Sequence, residues 1–136
     1  MSQQRTVLFV CLHGMGMSRL AAAYFNRVAP AGWQGVSAGV EPGEALSPTA
    51  ARLLSGTPAE PFLDRAAPRS IDSAPLAERV IAICNPSIRF EVPGAEGWYL
   101  TSANFDEHMR EQIRARAERL AEELASERGE VEAAKG

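Results

Sequence analysis

The 136-residue sequence predicts an α/β fold, namely a three-layer α/β/α sandwich around a four-stranded parallel sheet. Two apolar runs, residues 6–11 and 80–84, lack the polar alternation of a strand with one wet face, so both should be strands covered on both sides. Segments with helical spacing of apolar residues separate and follow these runs, which favours parallel strands with right-handed crossovers. The length is that of one domain, expected at 1–128, with 129–136 as a disordered tail.

The first half of the chain predicts two strand–helix pairs. Residues 6–11 lead through a glycine-containing turn into a helix that Ser18 is expected to cap. A second strand is expected around residues 35–38. Ser47 supplies the cap of a second helix and is followed at once by a first-turn proline; Gly56 should end this helix.

The second half begins with an irregular segment and ends with a long helix. Residues 57–75 are rich in proline and predict a surface loop with at most a short helix. Residues 80–84 and 98–100 are expected to form the third and fourth strands. From about Asn104, the expected cap, a long helix follows with an apolar stripe at three- and four-residue spacing. The stripe consists of Met109, Ile113, Ala117, Leu120 and Leu124.

Composition and charge argue against several classes of protein. Fourteen Lys and Arg against 17 Asp and Glu give a net charge of −3, so a basic face for binding nucleic acid is not expected. The sequence contains no apolar stretch of bilayer-spanning length and no recognisable signal peptide. We therefore expect a cytoplasmic protein with neither nucleic-acid nor membrane partners, and the sequence leaves the oligomeric state open.

The two cysteines have different predicted surroundings. Cys11 and Cys84 lie far apart, without the spacing of a zinc site or a disulfide-rich scaffold, so no metal is expected. Each ends a predicted strand, which places both thiols on the ligand-binding rim of a parallel sheet, where oxidation would join them if they face each other. Only Cys11 is followed directly by a helix, whose N-terminus favours a thiolate. Cys11 is therefore the predicted reactive thiol, and Cys84 is a second thiol of the site.

Several segments resemble the low-molecular-weight protein tyrosine phosphatases and the thioredoxin- or mycothiol-coupled arsenate reductases. Residues 7–12, followed by 17–21, resemble the first strand and phosphate loop of that superfamily, and residues 37–43 resemble its SAGT-x-PG segment. The resemblance extends to about residue 124. It implies a low-molecular-weight phosphatase-like fold with a Cys-x5-Arg-Ser/Thr loop, in which the thiolate attacks phosphorus or arsenic and backbone N–H groups hold the oxyanion.

The loop departs from the family pattern at the position that carries its charge. Met17 stands where the arginine is expected, although the following Ser18 matches. Gly14 stands where the family has an asparagine of unusual backbone conformation, and glycine adopts a positive φ without strain. Arg19 lies two positions beyond Met17, inside the predicted helix, where we expect its side chain to be solvated.

Two further groups that the resemblance implies are missing. The general-acid aspartate should fall near residues 102–103, but no carboxylate occurs between Trp98 and Phe105. Asp106 is the nearest candidate, and its predicted place in the first turn of the last helix accounts for it without catalysis. The third cysteine of the thioredoxin-coupled enzymes should fall seven places after the second thiol, where Glu91 stands.

The missing arginine and aspartate argue against efficient phosphatase activity. A positioned general acid contributes about 10²–10⁴ in rate, and each charge-assisted hydrogen bond from arginine contributes about 1.5–3 kcal/mol. Losing both should slow phosphomonoester hydrolysis by at least about 10⁴.

What remains is a thiol at a helix N-terminus, surrounded by backbone donors. We predict Cys11, His13 and Ser18 as catalytic residues. The predicted substrate-binding residues are Leu12, Gly14, Met15, Gly16 and Met17. A nucleophile with an oxyanion site but no fixed cation suits a neutral apolar substrate, either a small molecule or a carrier-bound acyl group, and requires no cofactor.

The predicted chemistry is of the isomerase or transferase type. Reversible conjugate addition of the thiolate would allow cis/trans isomerisation of an unsaturated acyl group, and direct attack would allow acyl transfer. Two alternatives stay open. The first is that the protein is a catalytically inactive anion- or protein-binding module of the same fold. The second is that it keeps residual tyrosine phosphatase or arsenate reductase activity.

Overall fold

A sheet of four parallel strands lies at the centre of the structure. The strands are β1 (Arg5–Cys11), β2 (Trp33–Gly39), β3 (Arg79–Cys84) and β4 (Glu96–Tyr99), in the spatial order β2-β1-β3-β4. The α-helices are α1 (Met17–Val28), α2 (Pro48–Leu54) and α3 (Glu107–Lys135). The computed structural model describes the backbone of residues 4–135 and the side chains of residues 4–127. The predicted α/β class and the four-stranded parallel sheet are confirmed.

Two strands start earlier than the sequence pattern indicates. β2 begins at Trp33, which pairs with Arg5 of β1, and β4 begins at Glu96, which pairs with Ile81 of β3. A charged residue such as Glu96 has little preference for strands by itself. Pairing with the neighbouring strand, and not local propensity, therefore sets the start of β4.

The α-helices pack on one face of the sheet around Phe9. The Phe9 ring is fully buried, and its centroid lies 5.7 Å from that of Phe25 in α1 and 5.6 Å from that of Trp98 in β4. Aromatic pairs at such distances add to the stabilisation from buried area. The predicted apolar stripe of α3 is buried in the same cluster, which confirms the helical spacing seen in the sequence.

The opposite face of the sheet is covered by irregular chain. Its buried residues, among them Leu8 and Val10, pack against partly buried residues of segments 71–77 and 90–92. Within the described residues these segments contain a single 3-10 turn, Ile71–Ser73, and no α-helix. Prolines flank or interrupt both segments, and proline disfavours a continuous helix. This layer of the predicted sandwich is therefore built from a short turn and extended chain.

The start and end of α2 agree with the sequence prediction. Ser47 Oγ accepts a hydrogen bond from Ala50 N at 3.4 Å, and proline occupies the first turn. The helix ends at Leu54, and Gly56 follows with a φ of +78°, a backbone conformation that favours glycine. Ser47 is thereby fixed at the end of the sheet where β1 and β2 terminate.

The start of α3 differs from the prediction. Asn104 was expected to cap this helix, but it is Asp106 Oδ1 that accepts a hydrogen bond from Met109 N, at 3.1 Å, and the helix begins at Glu107. A carboxylate at this position pairs with an otherwise unsatisfied amide and with the positive end of the helix dipole. Asp106 therefore outcompetes the neutral Asn104 as the cap.

The backbone of α3 is helical as far as Lys135. The predicted disordered tail, 129–136, falls outside the residues whose side chains are described, and it remains a prediction. None of the helices in the described part of the chain combines the length and the apolar composition that crossing a bilayer requires.

Arg19 is buried, which corrects the expectation that it is solvated. Its side chain is only 1% exposed; Nε donates to Gly14 O at 2.8 Å and Nη1 donates to Asp64 O at 2.6 Å. Successive helix positions turn by about 100°, so residue 19 points to the side of α1 opposite Met17. That side faces the proline-rich segment and not water. Arg19 therefore ties the loop after β1 to the segment that carries Asp64.

The charge of Arg19 is balanced by a small ion network. Asp64 lies 4.0 Å from Arg19 and 3.4 Å from Arg69, which also donates to Ser37 O at 2.9 Å. Burial lowers the pKa of Arg19, and the carboxylate of Asp64 opposes this shift. Burial alone would raise the pKa of Asp64, but a hydrogen bond from Ala66 N and the two guanidinium groups outweigh it and hold that pKa below its ordinary value.

The first prediction concerns Asp64→Asn. We expect a loss of about 1 kcal/mol of unfolding free energy at pH 7, the upper end for a partly exposed ion pair, because Arg19 loses its counter-charge. The pKa of the Asp64 carboxyl is lower in the folded state than in the unfolded state, where it is about 3.9. Its charge therefore stabilises the folded protein at pH values above about 3.9, and this contribution is lost as pH falls through the folded-state pKa. The difference between the two proteins should therefore start to shrink below about pH 4 and disappear as pH falls through the lowered pKa of Asp64.

Urea unfolding midpoints at pH 7 and pH 3 measure this difference. Asp72→Asn is the matched control, since Asp72 is exposed and has no counter-ion among the described residues. An equal loss at both pH values, or an equal loss in the Asp72 variant, would contradict the role given to the Asp64 charge.

Candidate active site

The loop between β1 and α1 crosses the carboxyl end of the sheet. Gly14, near its middle, has a φ of +65°, as the sequence predicts for that position. A Cβ atom at Gly14 would lie 2.8 Å from Gly39 N, at the end of β2. Glycine is thus required both for the backbone conformation and for the close approach of the two chain segments.

The carbonyl groups of this loop are bonded to residues outside it. Leu12 O accepts from Glu41 N at 2.7 Å, and His13 O accepts from Gly43 N at 3.0 Å. Gly14 O accepts from Arg19 Nε at 2.8 Å, and Met15 O accepts from Ser47 N at 2.9 Å. In a planar trans peptide the N–H points opposite to the C=O. The amides of residues 13–16 therefore point to the other side of the loop, away from these partners.

The amides of the loop have no acceptor of their own. Within the described part of the chain, none of the backbone N–H groups of residues 13–18 donates a hydrogen bond to a protein atom. Gly14, Gly16, Met17 and Ser18 are nevertheless buried. Buried amides without partners at a helix N-terminus form a site for an oxyanion.

The thiol of Cys11 lies beside the hydroxyl of Ser18. Cys11 is 4% exposed, and its Sγ is 3.1 Å from Ser18 Oγ. The hydroxyl can donate to a thiolate or accept from a thiol. Ser18 does not cap α1 as predicted: Gly16 occupies the cap position, and no side chain bonds to the first amides. Ser18 lies two residues after the cap position, inside the helix, and its side chain contacts the sulfur instead.

A pocket of about 270 Å³ opens above Cys11. Six of its lining residues were predicted as site residues; they are Cys11, Leu12, His13, Met15, Gly16 and Met17. Five others were not predicted; they are Ser47, Asn85, Ile88, Ala103 and Phe105. The lining contains no lysine, arginine, aspartate or glutamate. The wall above the thiol is thus apolar, with polar groups contributed only by neutral side chains, His13 and the backbone.

Met15 and Met17 form much of this apolar wall. Met17 is 7% exposed and packs in the main hydrophobic core while also lining the pocket. Met15 lies against Gly43, where any side chain would overlap the thioether. The Phe105 ring rests on Gly16, at which a Cβ would lie 2.8 Å from the ring. Small residues at 16 and 43 therefore make room for the large side chains of the wall.

His13 lies at the exposed edge of the pocket. Its Nδ1 is 2.8 Å from the carbonyl oxygen of Glu41. A carbonyl only accepts, so Nδ1 carries the hydrogen and Nε2 of the neutral ring is left as an acceptor. The hydrogen bond of the ring thus goes to Glu41 and not to Cys11.

Cys84 does not join the site, although β1 and β3 are neighbours as expected. Continuing the register Val10↔Ala82 places Ile83, not Cys84, opposite Cys11, and adjacent residues of a strand point to opposite faces. Cys84 Sγ donates to Phe90 O at 3.5 Å on the sheet face away from the α-helices. Both thiols are free and buried, and they do not face each other as a disulfide requires.

Acidic groups are absent from the pocket. Asp106 caps α3 and does not line the cavity, and neither does Glu91. In the described residues no three His, Cys, Asp or Glu side chains converge as metal ligands would. Of the residues that sequence reasoning missed, Asn85 follows β3 directly, and the rule that ligands bind beyond strand ends points to it. Phe105 has no such local signal.

Comparison with solved structures supports this description of the fold. No protein-family model and no curated protein matches the sequence. An arginine phosphatase from Geobacillus stearothermophilus is 22% identical, with a TM-score of 0.68, over 93% of this chain and 96% of its own. A low-molecular-weight protein tyrosine phosphatase from T. tengcongensis is 20% identical, with a TM-score of 0.63, over 88% and 99%. Both show a likeness of fold.

An arsenate reductase from Archaeoglobus fulgidus DSM 4304 adds sequence similarity to the likeness of fold. It is 30% identical to this chain over 88% of this chain and 98% of its own, with a TM-score of 0.60. Nearly the whole length of that reductase is thus matched by this chain. The chain belongs to the superfamily of low-molecular-weight protein tyrosine phosphatases and arsenate reductases.

Proposed function

We propose that this protein uses the Cys11 thiolate as a nucleophile toward a neutral, apolar carbonyl compound. The preferred reaction is reversible conjugate addition with cis/trans isomerisation of an unsaturated acyl group, and acyl transfer is the related possibility. The observation that carries the proposal is the lining of the pocket, which offers a thiol, unpaired amides and apolar side chains. The lining contains no lysine, arginine, aspartate or glutamate, and its histidine, His13, lies at the exposed edge. Such a site binds developing charge on one oxygen without attracting a dianion.

The addition step requires only groups that the site contains. The Cys11 sulfur forms a bond to the β-carbon, and the electron pair of the C=C bond moves through the α-carbon to the carbonyl oxygen. The amides of residues 13–18 then stabilise the enolate oxygen. The former double bond rotates as a single bond, and the enolate collapses to break the C–S bond. The thiolate is regenerated, so no oxidant, reductant or leaving-group acid is consumed.

Neighbouring side chains assist the thiolate and the substrate in different ways. Ser18 Oγ, 3.1 Å from the sulfur, donates to the thiolate when it departs from the adduct. Met15, Met17 and Phe105 bury the carbon chain of the substrate, at about 25 cal/mol per Å² of apolar surface. The pocket volume of about 270 Å³ suits a small acyl group or the end of a carrier-bound one.

The buried cation of α1 does not replace the missing arginine in this proposal. Arg19 Nε is committed to Gly14 O, and Nη1 is committed to Asp64 O. Its guanidinium therefore supports the loop from behind and forms no fork toward a ligand. Met17, on the ligand side, offers a thioether where an anion needs donors.

A second candidate function is anion binding without efficient turnover, as in a binding module or a residual phosphatase or arsenate reductase. The unpaired amides of residues 13–18 favour it, because a helix N-terminus with free N–H groups binds phosphate-like anions. The two candidates differ in the charge of the ligand. The following predictions separate them.

The second prediction is that Cys11 is the reactive thiol of the protein. N-phenylacrylamide, a neutral unsaturated carbonyl compound, should label Cys11 at least about tenfold faster than Cys84, because only Cys11 has oxyanion-stabilising amides and an adjacent pocket. Peptide mass mapping over a time course measures both rates. Cys11→Ala is the control for assignment, and faster labelling of Cys84 would count against the proposal.

The third prediction is that Met17→Arg moves the site toward anions. Inorganic phosphate should bind at least about tenfold more tightly, because an arginine adds charge-assisted hydrogen bonds of about 1.5–3 kcal/mol each. Labelling of Cys11 by N-phenylacrylamide should slow. Isothermal titration and mass mapping measure the two effects, and Met17→Leu, which keeps the wall apolar, is the control. Tight phosphate binding by the wild type would favour the second candidate function.

The fourth prediction is that hydrolysis of p-nitrophenyl phosphate is at least about 10⁴ slower than in a low-molecular-weight phosphatase with an intact loop and general acid, assayed in parallel. The reason is the absence of both a ligand-facing arginine and a pocket carboxylate. Steady-state release of p-nitrophenol measures the rate. Turnover within a factor of about 100 of the intact enzyme would contradict the proposal.

A further inference from the structure

Asn85 is fixed in the wall of the pocket with a known orientation. It is 6% exposed and follows β3 directly, beside the strand that ends at Cys11. Its Oδ1 accepts hydrogen bonds from Ser87 N and Ile88 N, both at 2.8 Å. Because two backbone N–H groups require the oxygen on that side, the Nδ2 amino group must face the other way.

The amino group of Asn85 is poorly paired in that direction. Among the described residues its acceptor is Met17 Sδ, at 3.8 Å, and both residues line the pocket. A thioether sulfur is a weak acceptor, and an amide NH₂ carries two donors. A buried donor without a good acceptor is costly, so an oxygen atom placed here by a ligand would be bound in preference to the sulfur.

We propose that Asn85 is a specificity-determining residue whose Nδ2 donates to the carbonyl oxygen of the acyl group attacked by Cys11. This inference rests on the proposed function and names the part of the substrate that is recognised. The donor is neutral, and the pocket lining contains no lysine or arginine to pair with an anion. The geometry therefore selects an uncharged amide, ester or thioester carbonyl.

Two electrophiles of similar size test this role. N-phenylacrylamide carries a carbonyl oxygen, whereas benzyl bromide alkylates thiols and has no oxygen to bind. The rate of Cys11 labelling by each, resolved by mass mapping in the full-length protein, gives a ratio that cancels general changes in the nucleophilicity or accessibility of the thiol. This ratio should fall about tenfold in Asn85→Asp and Asn85→Ala, as expected for the loss of one hydrogen bond.

The two variants complement each other. Asn85→Asp keeps the acceptor for Ser87 N and Ile88 N but replaces the donor with a negative charge. Asn85→Ala removes the donor and the acceptor without adding charge. Asn104→Asp is the matched control, because Asn104 is exposed near the pocket and the same charge change there should leave the ratio within twofold.

The outcomes separate this inference from the proposed function. A lower ratio in both Asn85 variants, with the control unchanged, supports the role of Asn85. An unchanged ratio in either folded Asn85 variant, including equal slowing with both electrophiles, overturns that role while leaving the proposed function in place. If the wild-type Cys11 reacts with N-phenylacrylamide no faster than Cys84, the proposed function itself fails.

Discussion

The hydrogen bond from Arg19 Nε to Gly14 O, 2.8 Å long and fully buried, holds the middle of the loop on which the site is built. It turns one carbonyl outward, and backbone amides of the segment after β2, those of residues 41, 43 and 47, hold the carbonyls on either side. The opposite edge of each peptide then carries the free N–H groups. Without this set of outward bonds, the loop amides and carbonyls would compete for the same space above Cys11, and no oxyanion site would form.

The position of the cation distinguishes this chain from the pattern that its superfamily implies. A guanidinium at residue 17 would face the ligand, whereas at residue 19 it lies on the other side of α1 and bonds to the protein. Its counter-ion is Asp64, whose carboxylate also pairs with Arg69. The positive charge thus contributes to loop geometry, and the ligand meets Met17.

The pocket combines an apolar wall with a few oriented neutral donors. Phe105 packs over Gly16 and Met15 packs over Gly43, so the wall depends on two positions without side chains. Asn85 is oriented by two amides of its own turn, and its amino group faces the sulfur of Met17, a weak acceptor. Together with the loop amides, this arrangement favours an uncharged, carbon-rich ligand with a hydrogen-bonding oxygen, which is the basis of the proposed function.

The sequence by itself determined the parallel α/β sheet, the helical stripe of α3, the cap of α2 and the cysteine-led loop, because these depend on local spacing of apolar residues and on turn chemistry. It also located Gly14, Met15 and Met17 in the loop. Tertiary contacts set the sheet face of Cys84, the burial of Arg19 and the remaining lining of the pocket. The strand register put Cys84 on the far face, the turn of α1 buried Arg19 against Asp64, and folding of distant segments brought Phe105 and Asn85 to the pocket. These outcomes depend on contacts between residues far apart in the chain, and apart from the place of Asn85 at a strand end no local pattern specifies them.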